Sequence, residues 1–147
     1  YDTIAFCLSK GLGAPVGSLL CGSAATMKRG RWVRKRLGGG MRQSGILAAA
    51  GLYALEHNVQ RLAEDHRRAR ELGIALYTMG MDVQLPVTNI LFVNTPGPAA
   101  PVVAGLDAQG VRCLAVGPQR IRLVLHLDVD DEGLQRAIKA FGSVARS

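Results

Sequence analysis

The chain has 147 residues, of which 48% are hydrophobic and 20% charged, which excludes global disorder and gives enough apolar mass for a folded core. Its net charge of +7 arises in residues 1–42, which carry eight Lys or Arg and one acid, whereas residues 43–147 carry ten of each. The longest apolar run, residues 46–55, is too short to cross a bilayer, and three isolated cysteines without a CxxC pair favour a reducing, cytoplasmic compartment over a disulfide framework or zinc site.

The first forty residues predict two strands and a helix. Residues 3–8 and 16–21 are short apolar runs bounded by glycine, proline or polar residues, which indicates buried strands. Ser23 is placed to cap a helix that ends near Leu37, where Gly38-Gly39-Gly40 stops it. Buried strands of this kind normally lie inside a larger sheet, so the segment is expected to belong to a larger domain.

The middle of the chain predicts two helices. Residues 46–55 are apolar all round, which predicts a helix buried on most sides. Residues 59–77 have one apolar and one charged face at helical spacing, with Glu64 placed to meet Arg67 or Arg68.

The remaining elements alternate between strand and helix. Strands are predicted at 88–93, 111–116 and 119–127, the last two joined by a tight Gly117-Pro118 turn, and helices at 102–109 and after Asp130 or Asp131. The order of elements over the whole chain indicates an α/β sandwich.

The stretch at residues 9–18, Ser-Lys-Gly-Leu-Gly-Ala-Pro-Val-Gly-Ser, is the most informative one chemically. Lys10 follows a predicted buried strand, and the glycines after it would let the backbone come close to a ligand. A lysine desolvated there could form a Schiff base with an aldehyde. From the residues alone, a strand-end lysine whose amine reaches water is the favoured alternative.

A second candidate site lies on the last predicted strand, where the side chains alternate between two faces. One face is expected to join the core, and the other carries two arginines and a histidine that would suit a carboxylate. A solvated strand face is the alternative. The core face consists of Ile121, Leu123, Leu125 and Leu127, and the polar face of Arg120, Arg122, Val124 and His126.

The basic block at residues 28–42 leaves three interpretations open: a solvated helix face, a nucleic acid or a phosphorylated small molecule. Trp32 is the one aromatic residue within it, so nucleic acid ranks low, and Trp32 is expected to be a packing anchor. His66 falls on an apolar helix face and is expected to be a core or interface histidine rather than a base.

Three stretches together resemble a known family. Residues 9–18, the sequence LGGGMRQ at 37–43 and Asp65-His66 are similar to the low-specificity threonine aldolases, which are pyridoxal-phosphate enzymes of the aspartate aminotransferase fold, fold type I. The similarity covers essentially the whole chain. It implies that the chain is the C-terminal part of such an enzyme, with residues 1–45 the end of the large cofactor-binding domain. Residues 46–147 would then form linking helices and a small α/β domain.

The resemblance also implies roles for particular residues at the cofactor. Lys10 would form the Schiff base with pyridoxal 5'-phosphate. Lys35 and Arg42 match basic family positions at the cofactor site, which in this family is shared across a subunit interface, and Arg42 follows a glycine loop from which it could reach an anion. No metal is expected.

The substrate site is implied by Arg122-Leu123-Val124-Leu125-His126, which resembles the family context R-x-V-T-H, where the arginine binds the substrate carboxylate. Arg122 is therefore the first candidate and Arg120 the second. Leu125 stands where Thr is usual, and because it faces away from Arg122, only a packing effect is expected.

The implied reaction is retro-aldol cleavage of L-threonine or L-allo-threonine to glycine and acetaldehyde, by a homodimer or homotetramer that involves no membrane and no nucleic acid. The family's ring-nitrogen aspartate, stacking histidine and Gly-Thr phosphate loop lie outside the matching segment. We therefore expect the chain to be an incomplete segment that is inactive alone, without an identified general base. A truncated paralogue that acts only as a packing partner, or a basic nucleic-acid-binding module, are the alternatives.

Overall fold

The computed structural model describes residues 1–144, and the chain divides into two compact units, Tyr1–Leu62 and the residues from Ala63 onward. The domain boundary expected between residues 45 and 46 stays a prediction. Within residues 1–144, every helix is too short or too polar to span a membrane.

The first unit contains two strands and two helices. The strands pair antiparallel, with Cys7 opposite Ser18 and Thr3 opposite Gly22. The elements are β1 at Thr3–Cys7, β2 at Ser18–Gly22, α1 at Ala24–Arg36 and α2 at Gly45–His57. All four lie where the sequence predicts an element.

Helix α1 begins and ends as its sequence predicts. The Ser23 hydroxyl accepts a hydrogen bond from the Thr26 backbone N–H at 3.2 Å, which satisfies one of the free donors of the first turn. At the other end Gly38 adopts φ +79°, and the Gly39 N–H donates to the Arg34 carbonyl at 2.9 Å, as in a Schellman motif. The first glycine of the triplet is therefore needed for its left-handed backbone.

The prediction that the two strands and α2 are buried is wrong for residues 1–144. All residues of β1 and β2 are exposed, and α2 buries only Gly51 and Ala54, leaving Ile46 82% and Leu52 59% accessible. The reason is that the two strands form a sheet of their own, which no third strand joins within residues 1–144. An apolar pattern reports which surface is suited to burial, whereas burial itself needs a neighbour.

The second unit is a four-stranded antiparallel sheet with helices. The elements are α3 at Leu62–Thr78, β3 at Asp82–Gln84, β4 at Ile90–Asn94, α4 at Ala99–Asp107, β5 at Leu114–Gly117, β6 at Arg120–Val124 and α5 at Asp131–Val144. The strand order in the sheet is β3-β4-β6-β5, and β5 and β6 form the predicted hairpin with an irregularity between Ala115 and Gly117. The strand β3, which has three residues, was not predicted from the sequence.

One face of this sheet and its helices share the core of the second unit. The alternation predicted for the last strand is confirmed for Ile121, Leu123 and Leu125, which are buried. The prediction is wrong for Leu127, which is 53% exposed because β6 ends at Val124. The helical members of the core include Leu72, Leu76, Leu106, Leu134 and Phe141.

The start of α5 is joined to α3 by ion pairs. Arg67 contacts Glu64 at 3.0 Å, as predicted, and Asp131 at 2.7 Å, while Arg68 contacts Asp131 at 2.8 Å. These two arginines therefore connect the first turn of α5 to the middle of α3. His66 is exposed, so of the two positions expected for it, the core is wrong for this chain and the interface stays a prediction.

We expect Asp131 to make stability depend on pH. Arg68, and next Arg67, hold the pKa of the Asp131 carboxyl below its ordinary value. A depressed carboxyl pKa contributes stability that is present above the ordinary value of about 3.9 and is lost as pH falls through the folded-state pKa. Asp131→Asn should therefore lower Tm at neutral pH, and only slightly, because the ion pairs are exposed. On acidification, the Tm of the variant should fall less than that of the parent protein, because the variant lacks the titrating carboxyl group.

The measurement is thermal unfolding between about pH 7 and about pH 3. Glu132→Gln is the matched control, since Glu132 lies in the same first turn and makes no ion pair within residues 1–144. An equal change in acid sensitivity for the two variants would contradict the role given to Asp131.

Candidate active site

Lys10 lies in the loop between β1 and β2, and this loop is closed by its own backbone hydrogen bonds. The Ala14 N–H donates to the Leu8 carbonyl at 3.0 Å, and the Gly13 N–H donates to the Lys10 carbonyl at 2.8 Å. Gly13 adopts φ +73°, which explains a glycine there. The Lys10 backbone is thus held in a tight turn.

The Lys10 side chain is exposed among the described residues, as in the alternative favoured from the residues alone, and is not desolvated. Leu8 and Leu12, on either side of it in the chain, are buried and leave the lysine on the accessible side of the loop. No hydrogen bond or ion pair engages its amine within residues 1–144. The amine is therefore available to an incoming group.

The loop rests on α2 and the residues after it. Leu8, Leu12 and Ala14 form a buried cluster with Ala54. A Cβ on Gly51 would lie 3.0 Å from the Leu8 Cδ1 atom, so the helix and the loop approach closely there.

Two polar side chains near the end of α2 also bind this loop. The Asn58 amide donates to the Leu12 carbonyl at 2.7 Å, and the Arg61 guanidinium donates to the Gly11 carbonyl at 3.3 Å. Sequence reasoning missed both residues. The available signal was weak: polar residues directly after an apolar helix.

Lys35 and Arg42 lie on either side of the glycine triplet in the same unit. Lys35 is exposed in the last turn of α1, and its stem lies beside Gly40, where an added Cβ would be 2.9 Å from the Lys35 Cδ atom. Arg42 is exposed between α1 and α2. Neither side chain is in an ion pair within residues 1–144, so both cations can take an anionic partner.

The second unit brings Arg122 and His126 to one shallow depression. Arg122 is half-buried, and its Nε atom is buried without a hydrogen-bond partner in the described part of the chain. The His126 Nδ1 atom accepts from the Asp128 backbone N–H at 3.3 Å, which leaves Nε2 free to face a ligand. The depression is lined by Arg112, Cys113, Leu114, Arg122, Val124 and His126.

Cys113 lines this depression, whereas Arg120 is not part of its lining. Arg120 is exposed, and its guanidinium lies 4.4 Å from the centre of the Phe92 ring. Burial, with a contribution from Asp107, raises the pKa of the Cys113 thiol, so Cys113 is not an activated nucleophile.

The segment after β6, which carries His126, is held by a residue to which sequence reasoning gave no role. The Asn89 side chain donates to the Leu125 carbonyl at 2.7 Å, and the Leu125 N–H donates to the Asn89 carbonyl at 2.9 Å. Leu125 itself is buried in the core, and the expectation that Leu in place of Thr affects packing only stays a prediction.

The accessible side chains of the first unit have the chemistry that pyridoxal phosphate needs. An accessible primary amine is what the aldehyde of this cofactor needs, and unpaired Lys and Arg cations suit its phosphate. Within residues 1–144 no group of three His, Cys, Asp or Glu side chains is arranged to hold a metal ion.

The chain is similar to known proteins over nearly its whole length. Residues 1–96 match the family described as beta-eliminating lyase. The chain is 50% identical to the low specificity L-threonine aldolase of Escherichia coli K12, over 90% of this chain and 40% of that protein. It is 39% identical to the probable low-specificity L-threonine aldolase 2 of Arabidopsis thaliana, over 99% of this chain and 43% of that protein.

The chain thus spans about two fifths of the length of these relatives. Among solved structures, serine palmitoyltransferase of Sphingomonas wittichii matches with a TM-score of 0.78 at 20% identity, over 99% of this chain and 40% of that one. The expected fold, that of fold type I pyridoxal-phosphate enzymes, is confirmed. The chain belongs to the beta-eliminating lyase family, and its resemblance to the low-specificity threonine aldolases is confirmed.

Proposed function

We propose that the full-length protein carrying this chain is a pyridoxal-phosphate-dependent lyase that cleaves L-threonine and L-allo-threonine to glycine and acetaldehyde. The observation that carries the proposal is Lys10: an accessible, unpaired amine on an internally hydrogen-bonded glycine loop, in a chain of the beta-eliminating lyase family. The relatives named as threonine aldolases supply the substrate class.

The residues of the first unit would hold the cofactor. Lys10 would bind its aldehyde carbon covalently, and Lys35 and Arg42 would neutralise its phosphate. When bound, the cofactor supplies an acceptor for the electron pair left on Cα when the Cα–Cβ bond breaks. This role is supported by the exposure of all three side chains and by their freedom from ion pairs within residues 1–144.

The residues of the second unit would hold the substrate. Arg122 would bind the substrate carboxylate through its guanidinium, which presents donors in a fixed fork. The position of the half-buried Arg122 on the lining of the depression supports this role. His126, which lines the same depression, would donate a hydrogen bond from Nε2 to the substrate. Arg120 would be the second arginine for the carboxylate.

The assembly and location belong to the same proposal. We propose a cytoplasmic homodimer or homotetramer in which subunits share the cofactor site. The exposed apolar side chains of α2, among them Leu52 and Tyr53, support an assembly that covers them. We further propose that the 147 residues alone form an incomplete site, since they span about two fifths of the relatives' length.

The proposal is tested by assaying the full-length protein and the 147-residue chain in parallel. With pyridoxal phosphate and L-threonine, the full-length protein should release glycine and acetaldehyde in equal amounts, as cleavage of one Cα–Cβ bond requires. The short chain should release neither. No product from either one would overturn the proposed reaction and favour a paralogue that serves only as a packing partner.

A further inference from the structure

The residue that follows α2, Asn58, makes a hydrogen bond to the Lys10 loop and has no role in the proposed reaction. The Asn58 amide lies at the C-terminal end of α2, 46 positions further along the chain, and donates to the Leu12 carbonyl at 2.7 Å in a half-buried setting. A bond of this length between distant segments fixes where the loop backbone lies relative to the helix.

We propose that Asn58 is a positioning residue that keeps the Lys10 loop in the geometry needed to hold an aldehyde cofactor, an inference that rests on the proposed function. Lys10 and Leu12 stand on the same closed turn, in which the Gly13 N–H caps the Lys10 carbonyl at 2.8 Å. Gly11 alone separates Leu12 from Lys10 in the chain, so a movement of the Leu12 carbonyl would also shift the Lys10 backbone.

The apolar contacts between the loop and α2 do not fix the orientation of the loop, which depends on hydrogen bonds. Leu8, Leu12 and Ala14 pack on Ala54 and press the loop onto α2. Dispersion contacts of this kind are non-directional, so they bring the loop to the helix without fixing its rotation. Among the described residues, two side chains donate hydrogen bonds to carbonyls of this loop: Asn58 to Leu12 at 2.7 Å and Arg61 to Gly11 at 3.3 Å. The Asn58 bond is the shorter of the two.

The decisive variant is Asn58→Asp, made in the full-length protein. Aspartate has the same shape as asparagine, but an ionised carboxylate only accepts hydrogen bonds and would set an oxygen against the Leu12 carbonyl oxygen. Asn58→Gln keeps the amide donor. Gln60→Glu is the matched control, because Gln60 is exposed two residues further on and the change adds the same charge near the same helix end.

The readout is retention of the cofactor rather than turnover. Each variant is titrated with pyridoxal phosphate, its bound cofactor is followed by visible absorbance, and Lys10 labelling is measured by mass spectrometry after borohydride reduction. We expect Asn58→Asp to weaken retention about tenfold, the size expected for losing one hydrogen bond and leaving a buried acceptor unmet, and Asn58→Gln and Gln60→Glu to stay within about threefold of the parent.

The outcomes separate the inference from the proposed function. If the parent protein takes up no cofactor at Lys10, the proposed function itself fails. If the parent is labelled but Asn58→Asp retains the cofactor as well as Gln60→Glu does, the positioning role is overturned and the function stands. Equal losses in Asn58→Asp and Asn58→Gln would also overturn it, because the donor would then not be the cause.

Discussion

Replacing Lys10 by alanine in the full-length protein should lower kcat for threonine cleavage by at least about 10³-fold, the scale on which enzymes lose activity with a covalent nucleophile. Lys10→Arg should be nearly as inactive. Arginine keeps the positive charge, but its guanidinium stays protonated and does not attack an aldehyde. The pair of variants therefore separates covalent attachment from charge.

The control for this prediction is Lys28→Ala. Lys28 is an exposed lysine of α1 in the same unit, and the proposed site makes no use of it. It should retain full activity and normal borohydride labelling at Lys10. A Lys10→Arg protein that still cleaves threonine at close to the parent rate, or labelling at another lysine, would show that Lys10 is not the attachment site.

The helices and strands could be predicted largely because their signals are local. Ser23 caps α1 and Gly38 ends it through backbone geometry that those residue types favour anywhere. The alternation of β6 put Ile121 and Leu123 in the core for the same reason, since a strand sends successive side chains to opposite faces. Such features need no knowledge of distant residues.

Burial could not be predicted in this way, because it depends on what covers a surface. The apolar residues of α2 and β1 suit a buried environment, yet most of them are exposed in this chain. The exposure of the Lys10 side chain has a related reason: Leu8 and Leu12 occupy the buried side of its loop and leave the lysine accessible.

The candidate site was predictable where the residue type carries the chemistry. A lysine after a strand and before a glycine loop, and an arginine with a histidine four positions later, are recognisable along the chain. Asn58 and Asn89 were not, because each acts by a hydrogen bond to a backbone carbonyl 46 or 36 positions away. Residue type reveals a donor, whereas only the folded chain reveals its acceptor.

Arg122→Lys should raise KM for L-threonine about 10- to 100-fold, the range that corresponds to losing about 1.5–3 kcal/mol of a charge-assisted, two-pronged hydrogen bond. Lysine keeps the charge but is a point donor on a flexible stem, so the expected loss is one of geometry. Arg120→Gln should raise KM only a few-fold, because the Arg120 guanidinium is already placed over the Phe92 ring at 4.4 Å.

The carboxylate role itself is tested with a substrate that lacks the carboxylate. The parent protein should prefer L-threonine strongly over L-threonine amide, which lacks the carboxylate, whereas Arg122→Gln should cleave the two with similar kcat/KM. The comparison is internal to each variant, so a general loss of folding or cofactor cancels from the ratio. If Arg122→Gln keeps the parent's preference and Arg120→Gln loses it, the carboxylate belongs to Arg120, since the two side chains share one face of β6 and only their immediate surroundings distinguish them.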